Sequence, residues 1–270
     1  MIATFKRKAS IYGAIGAIIP KVFLAYSLWV WVSLVLNTIA LTIMVFFWRA
    51  VYSNTTEISG IGLDTTLHYI LLAQVFLPLA DMGMIFEFGY NLREGGIAHA
   101  LLRPVDFQGS YYVQSLTRLA TNLVLQIPLA LVATFLFGLI WPTDIQTWLV
   151  FILSAVLGYS VLFFFDYLLA CLTFYTTEVW GLGVLVMGIS LFCSGSLIPL
   201  AMLPVGLQTI VYSLPFAQAL YVPLSLLSGI EPLTEAPRLL LVQFTWLVCL
   251  WLLSRIVFKF AVRTVTVQGG

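Results

Sequence analysis

The chain has 270 residues, of which 61% are hydrophobic and only 9% are charged, and its formal net charge is +1. Together with a mean hydropathy of +1.06, this composition excludes a water-soluble globular protein. The basic residues are spread over separate segments, which argues against a nucleic-acid surface. The few charges flank apolar runs long enough to cross a bilayer, which takes about 20 helical residues, so we predict an all-α protein that spans the lipid bilayer.

The N-terminal segment comprises residues 1–26 and contains the basic run FKRK. The apolar stretch that follows is interrupted by Pro20 and Lys21, and no clear cleavage site comes after it, so we expect no cleaved signal peptide. We predict that residues 5–25 form an interfacial helix that lies along the inner leaflet on the cytoplasmic side.

Six apolar runs follow, and each is predicted to be a transmembrane helix. They lie near residues 27–52, 65–90, 113–140, 147–172, 180–200 and 238–262. Residues 27–262 thus form a six-span transmembrane domain, and residues 263–270 form a cytoplasmic tail. With both termini in the cytoplasm, ten of the twelve basic residues lie on the cytoplasmic side, Arg118 among them, and only Arg49 and Arg238 lie outside. This asymmetry follows the positive-inside rule.

Patterns for catalysis and for cofactor binding are missing from the sequence. The chain has no Walker A motif, its two histidines have no partner at metal-ligand spacing, and no serine lies in a nucleophile elbow. The three cysteines lie inside predicted spans, where they act as small apolar residues. We therefore expect no enzyme activity, no metal and no cofactor on this chain.

Residues 91–111 form the most distinctive loop, which reads NLREGGIAHALLRPVDFQGSY. Between Gly96 and Pro104 the sequence predicts a short helix, with Ile97 and Leu101 on one face. This face either docks on a partner protein or rests on the inner leaflet, and its periodicity does not separate the two.

The segment 199–237 holds six of the eleven prolines and yet remains apolar. Proline removes a backbone donor, which is costly in hydrocarbon unless neighbouring groups compensate. We therefore predict a re-entrant hairpin of short helices on the outer side of the membrane. It is either a lid over an exit pathway or a cap that seals the outer ends of the spans.

Three glycines recur every seven residues on the fifth span, namely Gly181, Gly188 and Gly195. This spacing places them along one face of a helix. They form either a packing seam between helices or part of a substrate path.

Three acids lie within predicted spans, Asp81 and Glu87 on the second and Asp166 on the fourth. Charges in hydrocarbon are costly and usually face a cavity or a partner. Glu87 and Asp166 lie toward the cytoplasmic ends, where we expect them to reach water. Asp81 lies deeper, and Met84 and Phe88 share its helical stripe. This stripe either binds an organic cation or makes a structural hydrogen bond to a neighbouring span.

Two stretches resemble those of ABC-2-type permeases. In the loop after the second span, the resemblance lies in GGIAHALLRPVDF. At the end of the fifth span and in the outer loop, it lies in CSGSLIPLAMLPVGLQTIVYSLPFAQALYVPLSLLSG. With the six predicted spans, the resemblance covers nearly the whole chain.

The resemblance implies a permease subunit of an ATP-binding cassette exporter. Its location would be the plasma membrane of a bacterial-type cell, that is, the inner membrane. A separate ATPase dimer would bind ATP and Mg, and a second permease, either the same chain or a related one, would complete the pathway. The second and fifth spans would border that pathway, through Asp81, Met84, Phe88, Gly188 and Gly195.

The same resemblance implies two sets of residues that couple the permease to its ATPase. The first set lies in the loop after the second span and comprises Glu94, Ile97, Leu101, Arg103 and Asp106. The second set lies in the next cytoplasmic loop and comprises Thr177, Glu178 and Trp180.

The expected function is the efflux of a hydrophobic or cationic small molecule, such as a drug-like compound, from the cytoplasm. Permeases of this type for a lipid, a glycan or a peptide are alternatives. A membrane scaffold or assembly protein without transport activity is the alternative from another class. An ATPase that co-purifies with the chain would separate the transporter from the scaffold.

The orientation can be tested with a reporter that is active only outside the cytoplasm. Fused after Gly270 it should stay silent, and inserted within residues 55–62 it should be active, because basic residues retain their loops in the cytoplasm. The opposite pattern would contradict the six-span arrangement with both termini inside.

Overall fold

The computed structural model describes residues 12–14, 16–25, 27–176 and 179–264. In chain order its α-helices are α1 (Ile18–Ala25), α2 (Ser27–Val51), α3 (Leu63–Val75), α4 (Met84–Arg93), α5 (Gly96–Leu101), α6 (Phe107–Leu125), α7 (Ile127–Phe137), α8 (Ile145–Ala170), α9 (Trp180–Cys193), α10 (Val205–Tyr212), α11 (Pro215–Ala219), α12 (Tyr221–Ser228) and α13 (Ala236–Ala261). A small antiparallel hairpin of β1 (Glu57–Ile58) and β2 (Ile61–Gly62) separates α2 from α3. The chain is thus nearly all α-helical, in agreement with the predicted class.

Within the described residues, four helical stretches are long and apolar enough to cross a membrane. They are Leu28–Asn54, Phe107–Phe137, Ile145–Phe174 and Leu233–Ala261. They coincide with the first, third, fourth and sixth predicted spans. The length and composition of these helices support the predicted multi-pass membrane protein.

The second predicted span is not one helix. α3 ends at Val75, a 3-10 turn occupies Leu77–Ala80, and α4 begins only at Met84. Pro78 in that turn has no backbone N–H to donate, which favours the interruption. The prediction of a continuous second span is therefore wrong, and Asp81 lies in irregular backbone instead of within a helix.

The fifth predicted span is shorter than expected. α9 ends at Cys193, and the chain then turns at Gly195, which has a left-handed backbone with a φ of 81°. Fourteen residues at about 1.5 Å each cover roughly 21 Å, less than the roughly 30 Å of a hydrocarbon core. Membrane crossing by the second and fifth predicted spans therefore stays a prediction.

α8 is the central helix of the bundle. Of the 18 consecutive residues that are most apolar in its stretch, 56% are buried in the protein. The corresponding share is 11–17% in the other three long stretches. α8 packs against α4, α11, α12 and α13. The other long helices leave most of their apolar surface for lipid or for another subunit.

The segment 199–237 forms α10, α11 and α12, of which the last two are buried against α8. The approach is so close that a Cβ atom at Gly158 would lie 2.0 Å from the backbone oxygen of Gln218. Gln243 of α13 donates a hydrogen bond to that oxygen at 2.8 Å, and Ser154 donates to Gln243 at 3.1 Å. These bonds satisfy polar groups that a water-free interior would leave unpaired. Short helices are thus present here, while their re-entrant depth and their role as a lid or a cap stay predictions.

α1 falls within the stretch for which we predicted an interfacial helix, and it packs against α6. Residues 1–11 and the tail from residue 265 lie outside the described residues. The position of α1 on the inner leaflet stays a prediction.

Replacing Gly158 by alanine should destabilise the protein, because the new methyl group meets the Gln218 backbone and not a movable side chain. Overpacking of this kind costs about 1–3 kcal/mol. The matched control is Gly188→Ala on α9, where the added Cβ meets no atom of another described element within 4 Å. Thermal unfolding in detergent should show a lowered midpoint for Gly158→Ala only. Equal midpoints would contradict the close approach of α8 and α11.

Candidate functional site

A cavity of about 890 Å³ lies between α2, α6, α9 and the interruption of the second predicted span. Its wall is mostly apolar and includes six polar side chains, which are Ser33, Asn37, Asp81, Arg118, Asn122 and Gln126. This size and this mixture of apolar and polar groups are typical of sites for small molecules. We call this space the large cavity.

A second space of about 30 Å³, the small cavity, adjoins the large one. Asp81 and Arg118 line both cavities. Polar groups dominate the wall of the small cavity, including those of Glu87, Tyr159 and Asp166. The interruption of the second span therefore places Asp81 where an apolar cavity meets a charged one.

Asp166 of α8 caps the start of α4 from across the bundle. Its Oδ2 atom accepts hydrogen bonds from the backbone N–H groups of Gly83 and Met84, both at 2.8 Å. Free N–H groups at a helix start carry partial positive charge and need acceptors, which a carboxylate supplies. Asp166 is only 6% exposed, so the prediction that it reaches water is wrong. Its other oxygen, Oδ1, has no hydrogen-bond partner among the described residues.

Arg118 of α6 donates to Glu87 of α4, with 3.0 Å between Nη2 and Oε2. Both side chains are partly exposed, so Glu87 has access to solvent or to the cavity but is already paired. Arg118 lies within the stretch Phe107–Phe137 and lines both cavities, so it is a candidate site residue. Its place on the cytoplasmic side stays a prediction. The signal in the sequence that marks Arg118 as a candidate site residue is its isolated charge inside an apolar run.

The small cavity carries an excess of negative groups. Three carboxyl side chains line it, those of Asp81, Glu87 and Asp166, against the single guanidinium of Arg118. Because Arg118 is bound to Glu87, two carboxyl groups remain without a charged hydrogen-bond partner among the described residues. The arrangement favours positive charge in this part of the protein.

Phe88 does not share a cavity wall with Asp81. It is fully buried in an aromatic cluster in which its ring contacts Phe107, Tyr111, Tyr167 and Phe174, with centroids 4.9–6.2 Å apart. The prediction that Asp81 and Phe88 share one helical stripe is therefore wrong. Because the helix is interrupted, the two side chains lie in different surroundings.

Met84, the other member of that stripe, is buried and lines the small cavity beside Asp81. The predicted contact of Asp81 and Met84 with substrate stays a prediction. It now rests on the two cavities and no longer on a helical stripe.

The three glycines of the fifth span do not form one seam within the described residues. A Cβ atom at Gly181 or Gly188 would meet nothing within 4 Å, and Gly188 lines the large cavity. Gly195 lies beyond the end of α9, where an added Cβ would come 2.7 Å from the Tyr69 hydroxyl oxygen. The close contact on α9 is instead made by Gly183, against the ring of Phe86.

The loop after α4 contains the predicted short helix, α5. Ile97, on α5, is fully buried and packs with the aromatic cluster, so its side chain offers no surface for docking. A role of Ile97 in coupling stays a prediction. Leu101 is partly buried, and its neighbour Leu102 is 83% exposed. Glu94 and Arg103 are also exposed. The accessible surface of this loop thus carries charged groups, and Leu102 adds a large apolar side chain to it.

Asp106 anchors this loop to the last helix. It accepts a hydrogen bond from the backbone N–H of Gly109 at the start of α6, and both of its oxygens accept from the Arg255 guanidinium on α13. Arg255 holds the pKa of Asp106 below its usual value. Gln108 adds a 2.6 Å hydrogen bond to Ser254. A structural role therefore accounts for the contacts of Asp106.

The loop predicted to be the second cytoplasmic one is described only in part. Thr177 and Glu178 lie outside the described residues, whereas Trp180 begins α9 and is exposed. Coupling through this loop stays a prediction.

Comparison with known proteins identifies a family. The family model described as ABC-2 family transporter protein matches residues 38–269, which is most of the chain. No curated protein matches the chain, and no solved structure does.

Proposed function

Because this chain belongs to the ABC-2 family of transporter proteins, we propose that it is the permease subunit of an ATP-driven exporter. In this proposal it moves a hydrophobic or cationic small molecule out of the cytoplasm. The observation that carries the proposal is the large cavity, because it joins an apolar wall to a few polar groups at a break in a helix.

The energy for transport comes from a separate subunit in this proposal. The chain has no nucleotide-binding motif of its own, so an ATPase dimer with bound ATP and Mg must drive the cycle. The exposed groups around α5 offer the contact surface, namely Glu94, Leu102 and Arg103. The buried face of α5 would then transmit force to the aromatic cluster beneath it.

A second permease, either this chain or a related one, completes the pathway in this proposal. α2 and α9 border the large cavity, and both expose large apolar side chains such as Trp29, Leu36 and Leu185. A partner that covers these two helices would close the cavity on its open side. We place the assembly in an inner membrane with both termini in the cytoplasm, as the basic asymmetry indicates.

The transport function can be tested by filling the large cavity. Gly188→Phe adds a ring at a cavity wall where the backbone has free space, so it should reduce ATP-dependent uptake into inside-out vesicles about tenfold, equivalent to ~1.4 kcal/mol of lost binding. Gly181→Phe is the matched control, because Gly181 has the same free space on the same helix and does not line the cavity. Equal uptake by both variants would contradict this pathway, and a lack of uptake with the unaltered chain and its ATPase would favour the scaffold.

The docking surface can be tested at Leu102. Leu102→Asp should reduce the ATPase recovered with the tagged permease at least about fivefold, because a charge would enter an apolar contact. Val205→Asp on α10 is the control, because Val205 is 78% exposed and lies in the predicted outer segment. Ile97→Asp should instead lower the yield of folded permease, since Ile97 is buried. Full ATPase recovery with Leu102→Asp would show that this loop is not the contact.

A further inference from the structure

We propose that the two adjoining cavities form one site for a primary ammonium group on an apolar body. The ammonium head occupies the small cavity, and the apolar body occupies the large one. This inference rests on the proposed transport function for its purpose, but the site itself is argued from the geometry of the described residues.

The two cavities meet at Asp81 and Arg118, which line both of them. A ligand with its body in the large cavity therefore has its polar end at the two side chains that border the small one. The large cavity is mostly apolar and the small one is mostly polar, so the pair matches a molecule with one polar end.

Charge selects a cation for the small cavity. Arg118 is already bound to Glu87, which leaves the carboxyl groups of Asp81 and Asp166 to face the space. Among the described residues the buried Oδ1 atom of Asp166 has no hydrogen-bond partner, while Oδ2 accepts from the backbone N–H groups of Gly83 and Met84. A buried acceptor without a donor is costly, and an ammonium group brings three donors and a positive charge.

Size restricts the kind of cation. A cavity needs about 10–15 Å³ to hold one water molecule, so the small cavity, at about 30 Å³, accepts one or two groups of that size. A primary ammonium is of that size, whereas a trimethylammonium or a guanidinium is much larger. Among the described residues no group of three acidic, histidine or cysteine side chains converges to hold a metal ion. The geometry thus favours an organic amine with an unsubstituted nitrogen.

Two sources present this chemistry, a diffusible amphiphilic amine and the ethanolamine headgroup of a membrane lipid. Both carry a primary ammonium next to an apolar body. Amine probes of defined structure, added to bilayers of defined lipid composition, distinguish these two sources.

The test measures thermal stabilisation of the full chain in vesicles of phosphatidylcholine and phosphatidylglycerol. The probes are decylamine, decyltrimethylammonium and decanol, which share one chain and differ at the head. Decylamine should stabilise the protein at a concentration at least about tenfold lower than the other two, because only its head fits the small cavity. Equal effects of decylamine and decyltrimethylammonium would overturn the proposal.

Two variants identify the carboxyl groups that bind the head. Asp166→Asn keeps an oxygen for the backbone N–H groups of α4 but places an amide where the charge was, so the preference for decylamine should disappear. Asp81→Asn should reduce the same preference without touching that cap. Asp64→Asn is the control, because Asp64 is an exposed acid at the start of α3 and does not line either cavity.

A preference that survives both Asp81→Asn and Asp166→Asn would overturn the assignment. If Asp166→Asn fails to fold, the probe series and Asp81→Asn still decide the matter. The stabilisation needs no ATP, so it can fail while ATP-dependent uptake succeeds, and it can succeed while uptake fails.

The lipid source is examined by adding phosphatidylethanolamine to the vesicles. If the ethanolamine headgroup occupies the site, the protein should become more stable, and added decylamine should have no further effect. If only a diffusible amine binds, the response to decylamine should be unchanged. Either result supports a primary-ammonium site, provided that Asp166→Asn abolishes it.

Discussion

The carboxylate of Asp166 is the interaction on which the centre of the molecule depends. Two backbone N–H groups at the start of α4 have no acceptor in their own helix, and Oδ2 of Asp166 supplies one for both. A buried N–H group that is left without an acceptor destabilises a fold by about 1–3 kcal/mol. The interruption of the second predicted span is therefore possible only because α8 lies beside it. Both cavities owe their position to that interruption.

Near its middle, α8 also packs against the short helices of the segment 199–237. Gly158 allows the backbone of α11 to approach, and Gln243 ties that backbone to α13. Near the C-terminal end of α8, beside Asp166, Tyr167 belongs to an aromatic cluster in which Phe88 and Phe107 connect α4 to α6. α8 thus supports the segment 199–237, the capped break and the buried side of the loop around α5.

The long helices could be predicted from the sequence because each is encoded by one continuous apolar run, and the bounds of α2, α8 and α13 differ from the prediction by only one or two residues. The interruption between α3 and α4 could not be predicted, because the group that stabilises it belongs to Asp166, which lies 83 residues beyond Gly83. Periodicity placed Ile97 and Leu101 together on one face of a short helix. It carried no information on which side faces the protein, since the aromatic cluster is assembled from several distant segments. Asp81 was found by its charge, whereas Arg118 was overlooked because it was read as an anchor.

The distance along the chain between the break and its cap has a consequence for biosynthesis. When α3 and α4 leave the ribosome, the acid that satisfies the start of α4 is still 82 residues away from Met84. At about 5–20 residues per second, translation reaches it roughly 4–16 seconds later. During that interval the backbone N–H groups of Gly83 and Met84 must find other acceptors, such as water or the insertion machinery. The second predicted span can therefore settle into its final form only after the fourth has been made, so insertion and tertiary folding overlap in time.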